Sequence, residues 1–148
     1  MPDSVVKQWQ SMFKPRVPTS QEKNVFLFRK KMVRVLHENG VPILAGTDVI
    51  LPFLVPGYSL HQELEMLVKA GLSPAEALKA ATITAAECLH LQDSTGVVKK
   101  GYWADLVLLD ENPLIDITHT QKIHAVIVQG KLFDRQKLDQ MLEEIKKK

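Results

Sequence analysis

The sequence predicts an α/β chain. Three observations carry that expectation. An apolar stretch at residues 41–47 is hydrophobic on both faces, the pattern of a parallel strand covered on two sides. Stretches with helical spacing flank it on either side. After Asp93 the pattern changes to short β-rich runs separated by glycine and proline turns.

Residues 1–18 are expected to be irregular, interrupted by Pro15 and Pro18, with Trp9, Met12 and Phe13 packed onto another part of the protein. Thr19 and Glu22 fit a capping box, so a helix should run to about Asn39. Val25, Phe28, Met32, Val35 and Leu36 share one of its faces, and Gly40 is a good residue to end it. The buried strand over 41–47 follows, with Pro42 in its first positions. Asp48 stands at its C-terminal tip, where α/β barrels place catalytic groups. Pro52, Pro56 and Gly57 keep residues 49–58 in a loop.

Ser59 can cap a helix to about Ala70, with Leu60, Leu64, Leu67 and Val68 inward and Gly71 at its end. Ser73 and Pro74 start another, to about Ala81. A short helix is expected at 85–89. Strands are expected at 104–109 and 124–129, with a turn at Asn112-Pro113 between them. Gly130 and Lys131 connect tightly to Leu132 and Phe133. A last amphipathic helix from Arg135 carries Leu138, Met141, Leu142 and Ile145 on one stripe. The lysines at 146–148 suit the negative end of its dipole.

Composition narrows the function classes. A chain of 148 residues is about one domain, and 45% hydrophobic against 24% charged residues excludes wholesale disorder. Net charge is +2, too small to imply nucleic acid. Residues 1–47 hold eight Lys/Arg against three Asp/Glu, and the rest hold eleven against fourteen. Arg29, Lys30, Lys31 and Arg34 read as the solvated face of a helix. No aromatic platform is interleaved with them, so no nucleic-acid partner is expected. A single cysteine excludes a disulfide framework and any multi-cysteine zinc site, and Cys88 reads as a packed thiol. No apolar run approaches about 20 residues, and the start lacks a signal-peptide pattern. No membrane partner and a cytoplasmic location are expected.

Several stretches together resemble the C-terminal part of the amidohydrolase superfamily, especially the branch with imidazolonepropionase and the Xaa-Pro and Xaa-Arg dipeptidases. Residues 40–48, Gly-Val-Pro-Ile-Leu-Ala-Gly-Thr-Asp, resemble that family's last barrel strand. Residues 63–78 resemble its following helix pair, and Ala80-Ala81-Thr82 and Ala85-Ala86 continue the match. Residues 96–114 resemble its closing β segment, and 126–130 its final strand. The ordered set spans about 22–134.

The resemblance implies a C-terminal fragment of a (β/α)8 metal-dependent hydrolase barrel plus part of its small β-sandwich. Residues 1–93 would be the barrel end, 94–134 the sandwich segment and 135–148 a C-terminal helix. It implies zinc or another divalent metal in the complete enzyme, and an activity on amide or peptide C–N bonds by metal-activated water. Asp48 would be metal ligand and catalytic proton acceptor, and His61 would contact substrate. Phe53 and Leu54 would line an apolar pocket. Val49-Ile50-Leu51 departs from the small residues that relatives carry after the aspartate. Glu63, as a first-turn acid, and Asp105 read as structural.

The family's remaining ligands are a His-x-His pair, a lysine or carboxylate and two further histidines from earlier strands. None has a counterpart among His37, His61, His90, His119 and His124, and His119 with His124 is not read as a metal pair. The isolated chain is therefore expected to be inactive and without metal. It should recruit a missing N-terminal barrel portion, self-associate or rearrange, because its strand and the helices at 22–39 and 59–70 lack cover. Its substrate in the complete enzyme would be a small amide or dipeptide. The alternative is a non-catalytic interaction module or a subunit pairing with a separate N-terminal half.

Overall fold

The computed structural model describes residues 3–12, 16–49 and 51–146. Expectations for Phe13, Pro15, Ile50 and the last two lysines lie outside the described residues. The element order is α1 (Asp3–Met12), α2 (Ser20–Glu38), α3 (Tyr58–Ala70), α4 (Pro74–Ala80), α5 (Ile83–Cys88), β1 (Leu106–Leu109), a 3₁₀ turn (Ile117–Gln121), β2 (Ile123–Val128), β3 (Lys131–Phe133) and α6 (Arg135–Lys146).

Helix α1 corrects the expectation of an irregular N-terminal segment. Val5, Val6 and Trp9 recur at helical spacing and are half-buried. Trp9 meets the Phe53 ring at 5.5 Å between centroids, so the predicted packing of Trp9 is made from a helix. Helix α2 begins at the predicted capping box, with Thr19 Oγ1 accepting from the Glu22 amide and Glu22 accepting from the Thr19 amide. Its inward face differs from the expected one. Lys30, Val33 and His37 are half-buried, while Val25, Phe28, Met32, Val35 and Leu36 are exposed, Phe28 to 66%. Those side chains have nothing to cover them among the described residues.

Helix α3 starts one residue before Ser59, with Gly57 as its N-cap. Ser59 is not the cap. It is buried in the first turn, where its hydroxyl accepts from the Val55 amide at 2.8 Å. The expected loss of cover does not extend to α3, because Leu64 and Leu67 are buried. They form the core with Leu72, Ala77, Ala80 and Ile117, and Val33, Ile43, Ala45 and Leu78 pack around it. Ala77 is fully buried on α4, which Ser73 and Glu76 cap reciprocally with Pro74 at its first position. Cys88, at the end of six-residue α5, is exposed rather than packed. The buried position of that helix is Ala86, and a helix this short has only one inward turn.

The sheet is antiparallel in the order β1-β2-β3, with Leu106 opposite Ile127 and Ile127 opposite Leu132. The β2–β3 turn places Gln129 and Gly130 at φ 49° and 76°, the left-handed pair that a two-residue hairpin of the favoured hand requires. Asp105 holds this turn by accepting from the Gln129 amide at 2.5 Å. The 3₁₀ turn, which sequence patterning did not indicate, docks on α3 through buried Ile117 and Thr120.

The expected strand over 41–47 forms no ladder. The segment has no regular secondary structure, and no other strand lies beside it among the described residues. Its side chains still alternate: Ile43, Ala45 and Thr47 are half-buried, whereas Leu44, Gly46 and Asp48 are exposed.

Candidate functional site

Asp48 ends this segment with φ 50°, a left-handed conformation that aspartate adopts more readily than most residues. It is exposed, and its carbonyl accepts from the Leu51 amide at 3.1 Å, turning the chain into the following loop. Leu54 donates to the Leu51 carbonyl at 3.2 Å, and Ser59 closes the loop onto α3. Leu51 and Phe53 leave an apolar surface half exposed in the loop that follows Asp48.

Two bonds fix the segment just before Asp48. The Ala45 amide donates to the Ala80 carbonyl at 3.1 Å, tying it to the end of α4. The Gly46 amide donates to Glu63 Oε1 at 3.3 Å, tying it to α3. Glu63 lies five positions into α3 rather than in its first turn, so its contact is with Gly46 and not with the helix terminus. Sequence patterning did not single out this contact. The spacing of 17 residues between loop and helix gives no local signal for it.

His61 points elsewhere. Two residues on a helix are about 200° apart, so His61 and Glu63 occupy nearly opposite faces of α3. His61 Nδ1 lies 3.0 Å from the Thr120 hydroxyl, and the Thr120 hydroxyl donates to the Ile117 carbonyl at 2.9 Å. With its one proton committed, that hydroxyl accepts, so His61 carries its proton on Nδ1 and leaves Nε2 as the free lone pair. Burial pushes the His61 pKa down, opposed by the nearby Glu65 charge. Glu65, four residues on, also meets the 3₁₀ turn, accepting from Gln121 at 3.1 Å. The structure therefore does not bring His61 to Asp48.

Three other histidines pair with carboxylates away from Asp48. His37 Nε2 lies 3.1 Å from Glu76, and His124 Nδ1 lies 2.8 Å from Asp110. His119 bonds the Asn112 carbonyl and Glu111, each at 2.9 Å. Among the described residues, no group of three or more His, Cys, Asp or Glu side chains is placed to hold a metal ion. No described helix is long and apolar enough to cross a membrane.

Comparison with known proteins gives the class. The amidohydrolase family model matches residues 18–133, and the chain belongs to that family. Ochratoxinase from Aspergillus niger is 41% identical over 99 residues, covering 64% of this chain and 20% of the relative. Imidazolonepropionase from Thermoplasma volcanium is 36% identical over 94 residues, covering 63% and 23%. The crystal structure of a Xaa-Pro dipeptidase aligns with a TM-score of 0.64 at 30% identity, covering 71% of this chain and 25% of that one. The chain thus spans about a fifth to a quarter of the length of these relatives.

Proposed function

We propose that this chain supplies the closing portion of a metal-dependent amidohydrolase that cleaves amide or peptide C–N bonds with activated water. The observation that carries the reading is the placement of Asp48. An exposed carboxylate ends a segment whose alternate side chains enter the core, and an apolar loop follows it. A carboxylate so held can accept the proton of an attacking water or bind a hard cation.

Taken alone, the described residues do not make a metal centre. Asp48 would be one ligand, and no group of three or more His, Cys, Asp or Glu side chains gathers around it among the described residues. Zinc or another divalent ion belongs to this reading only through an assembled protein. The partner is the amidohydrolase portion that the relatives carry outside the matched region, or a second copy of this chain. The uncovered α2 face, including Phe28 and Met32, is a surface such a partner would bury. His61 faces away from the Asp48 segment, and with Nδ1 taken by Thr120 it has only Nε2 left for a substrate contact, one made away from Asp48. A small amide or dipeptide is the substrate class that the named relatives support.

Co-expression with the N-terminal portion of the Xaa-Pro dipeptidase relative tests this. The complex should bind divalent metal and hydrolyse a dipeptide, and Asp48→Asn should abolish hydrolysis while leaving the complex intact. An active complex carrying Asp48→Asn would overturn the role of Asp48.

A further inference from the structure

We propose that Glu63 is a positioning residue for Asp48, acting through the backbone of Gly46; this rests on the reading of Asp48 given above. The segment that ends in Asp48 has no ladder to hold it, so each of its backbone groups must be held individually. Among the described residues, the amides of Val41, Ala45 and Gly46 bond to other elements, and of these three only Gly46 uses a side chain, Glu63 Oε1 at 3.3 Å. Asp48 lies two residues further on in a left-handed conformation that persists only where surrounding contacts specify it. A carboxylate acceptor gives a stronger backbone bond than a neutral one, which suits the nearer of the two anchors to Asp48.

The placement on the helix supports this assignment. Leu64 and Leu67 of α3 are buried in the core, so the backbone carrying Glu63 is fixed. Glu63 is half-buried on that fixed helix and reaches across 17 residues of sequence to the segment. Gly46 has no left-handed φ, and nothing lies within 4 Å of where its Cβ would sit. Steric confinement does not act at Gly46 itself, so the Glu63 bond fixes this residue beyond the Ala45–Ala80 bond and the packing of Ile43 and Ala45.

Amide hydrogen exchange and backbone ¹³C shifts on the 148-residue chain test the inference. Glu63→Ala should speed exchange at the Gly46 amide about tenfold. It should also remove the left-handed shift signature of Asp48, while the α3 amides at Leu64 and Leu67 keep their protection. Glu63→Gln retains an acceptor oxygen, so it should restore most of the Gly46 protection and the Asp48 signature. Unchanged Gly46 exchange and Asp48 shifts in Glu63→Ala would overturn the inference. So would a uniform loss of protection along α3 in both variants, which would make Glu63 a helix-stability residue. Failure of the hydrolase reading would appear differently: Gly46 protection would respond as described, but the assembled complex would bind no metal.

Discussion

Replacing Thr120 with valine removes a hydroxyl that joins two elements and changes little else in shape. Thr120 is 6% exposed. Its oxygen accepts from His61 Nδ1–H at 3.0 Å and donates to the Ile117 carbonyl at 2.9 Å. Valine fills the same volume, so the loss is one of hydrogen bonds rather than of packing. The Nδ1–H of half-buried His61 is left without an acceptor, and the expected destabilisation is about 2 kcal/mol. Urea unfolding should show it as a lower midpoint at unchanged slope. Imidazole ¹⁵N spectroscopy gives a second readout. The wild-type ring should be the Nδ1–H tautomer, and Thr120→Val should shift it toward Nε2–H. Thr120→Ser should behave as wild type in the ring spectrum. A loss below about 0.5 kcal/mol with an unchanged tautomer would refute the reasoning.

His61 has a folded pKa below its unfolded value of about 6.5, so the unfolded chain takes up the proton first as pH falls. Its contribution is complete above about pH 6.5 and is lost as pH falls through the folded pKa, and His61→Gln should flatten that part of the stability profile. Gly96→Ala should cost about 1–3 kcal/mol, because the new methyl would lie 2.9 Å from Ala86 Cβ at a φ of 92°, whereas Gly46→Ala should leave the unfolding midpoint unchanged. Ser73→Ala removes the cap of α4 and should cost about 1 kcal/mol by thermal unfolding. Changing Phe28 and Met32 together to serine should leave unfolding within about 0.5 kcal/mol but weaken association with the added N-terminal portion of a relative in sedimentation.

What could be read from the sequence was mostly local. Thr19 with Glu22 and Ser73 with Pro74 and Glu76 specify helix starts within four residues, and both appear as expected. Asn112-Pro113, Gly130 and the β-rich runs marked the antiparallel sheet. The misses came from distance or competition. Pro15 and Pro18 drew attention away from the Val5–Val6–Trp9 spacing that makes α1. The stretch at 41–47 reads as a covered strand because both faces are apolar, but a ladder needs partner strands, and none is present among the described residues. The inward face of α2 turned for the same reason, toward Val33 and the core that exists here. The place of Asp48 after an apolar run was legible, and the structure leaves that residue exposed. The Glu63–Gly46 bond and the His61–Thr120 bond, 17 and 59 residues apart in sequence, were not legible.

The most direct test of the central claim is divalent metal content, measured by elemental analysis on the chain alone and on the chain assembled with the N-terminal portion of a relative. The chain alone should hold substoichiometric zinc, and the assembled complex should hold stoichiometric metal that depends on Asp48. Stoichiometric zinc in the isolated chain, or an assembled complex without metal, would contradict the claim.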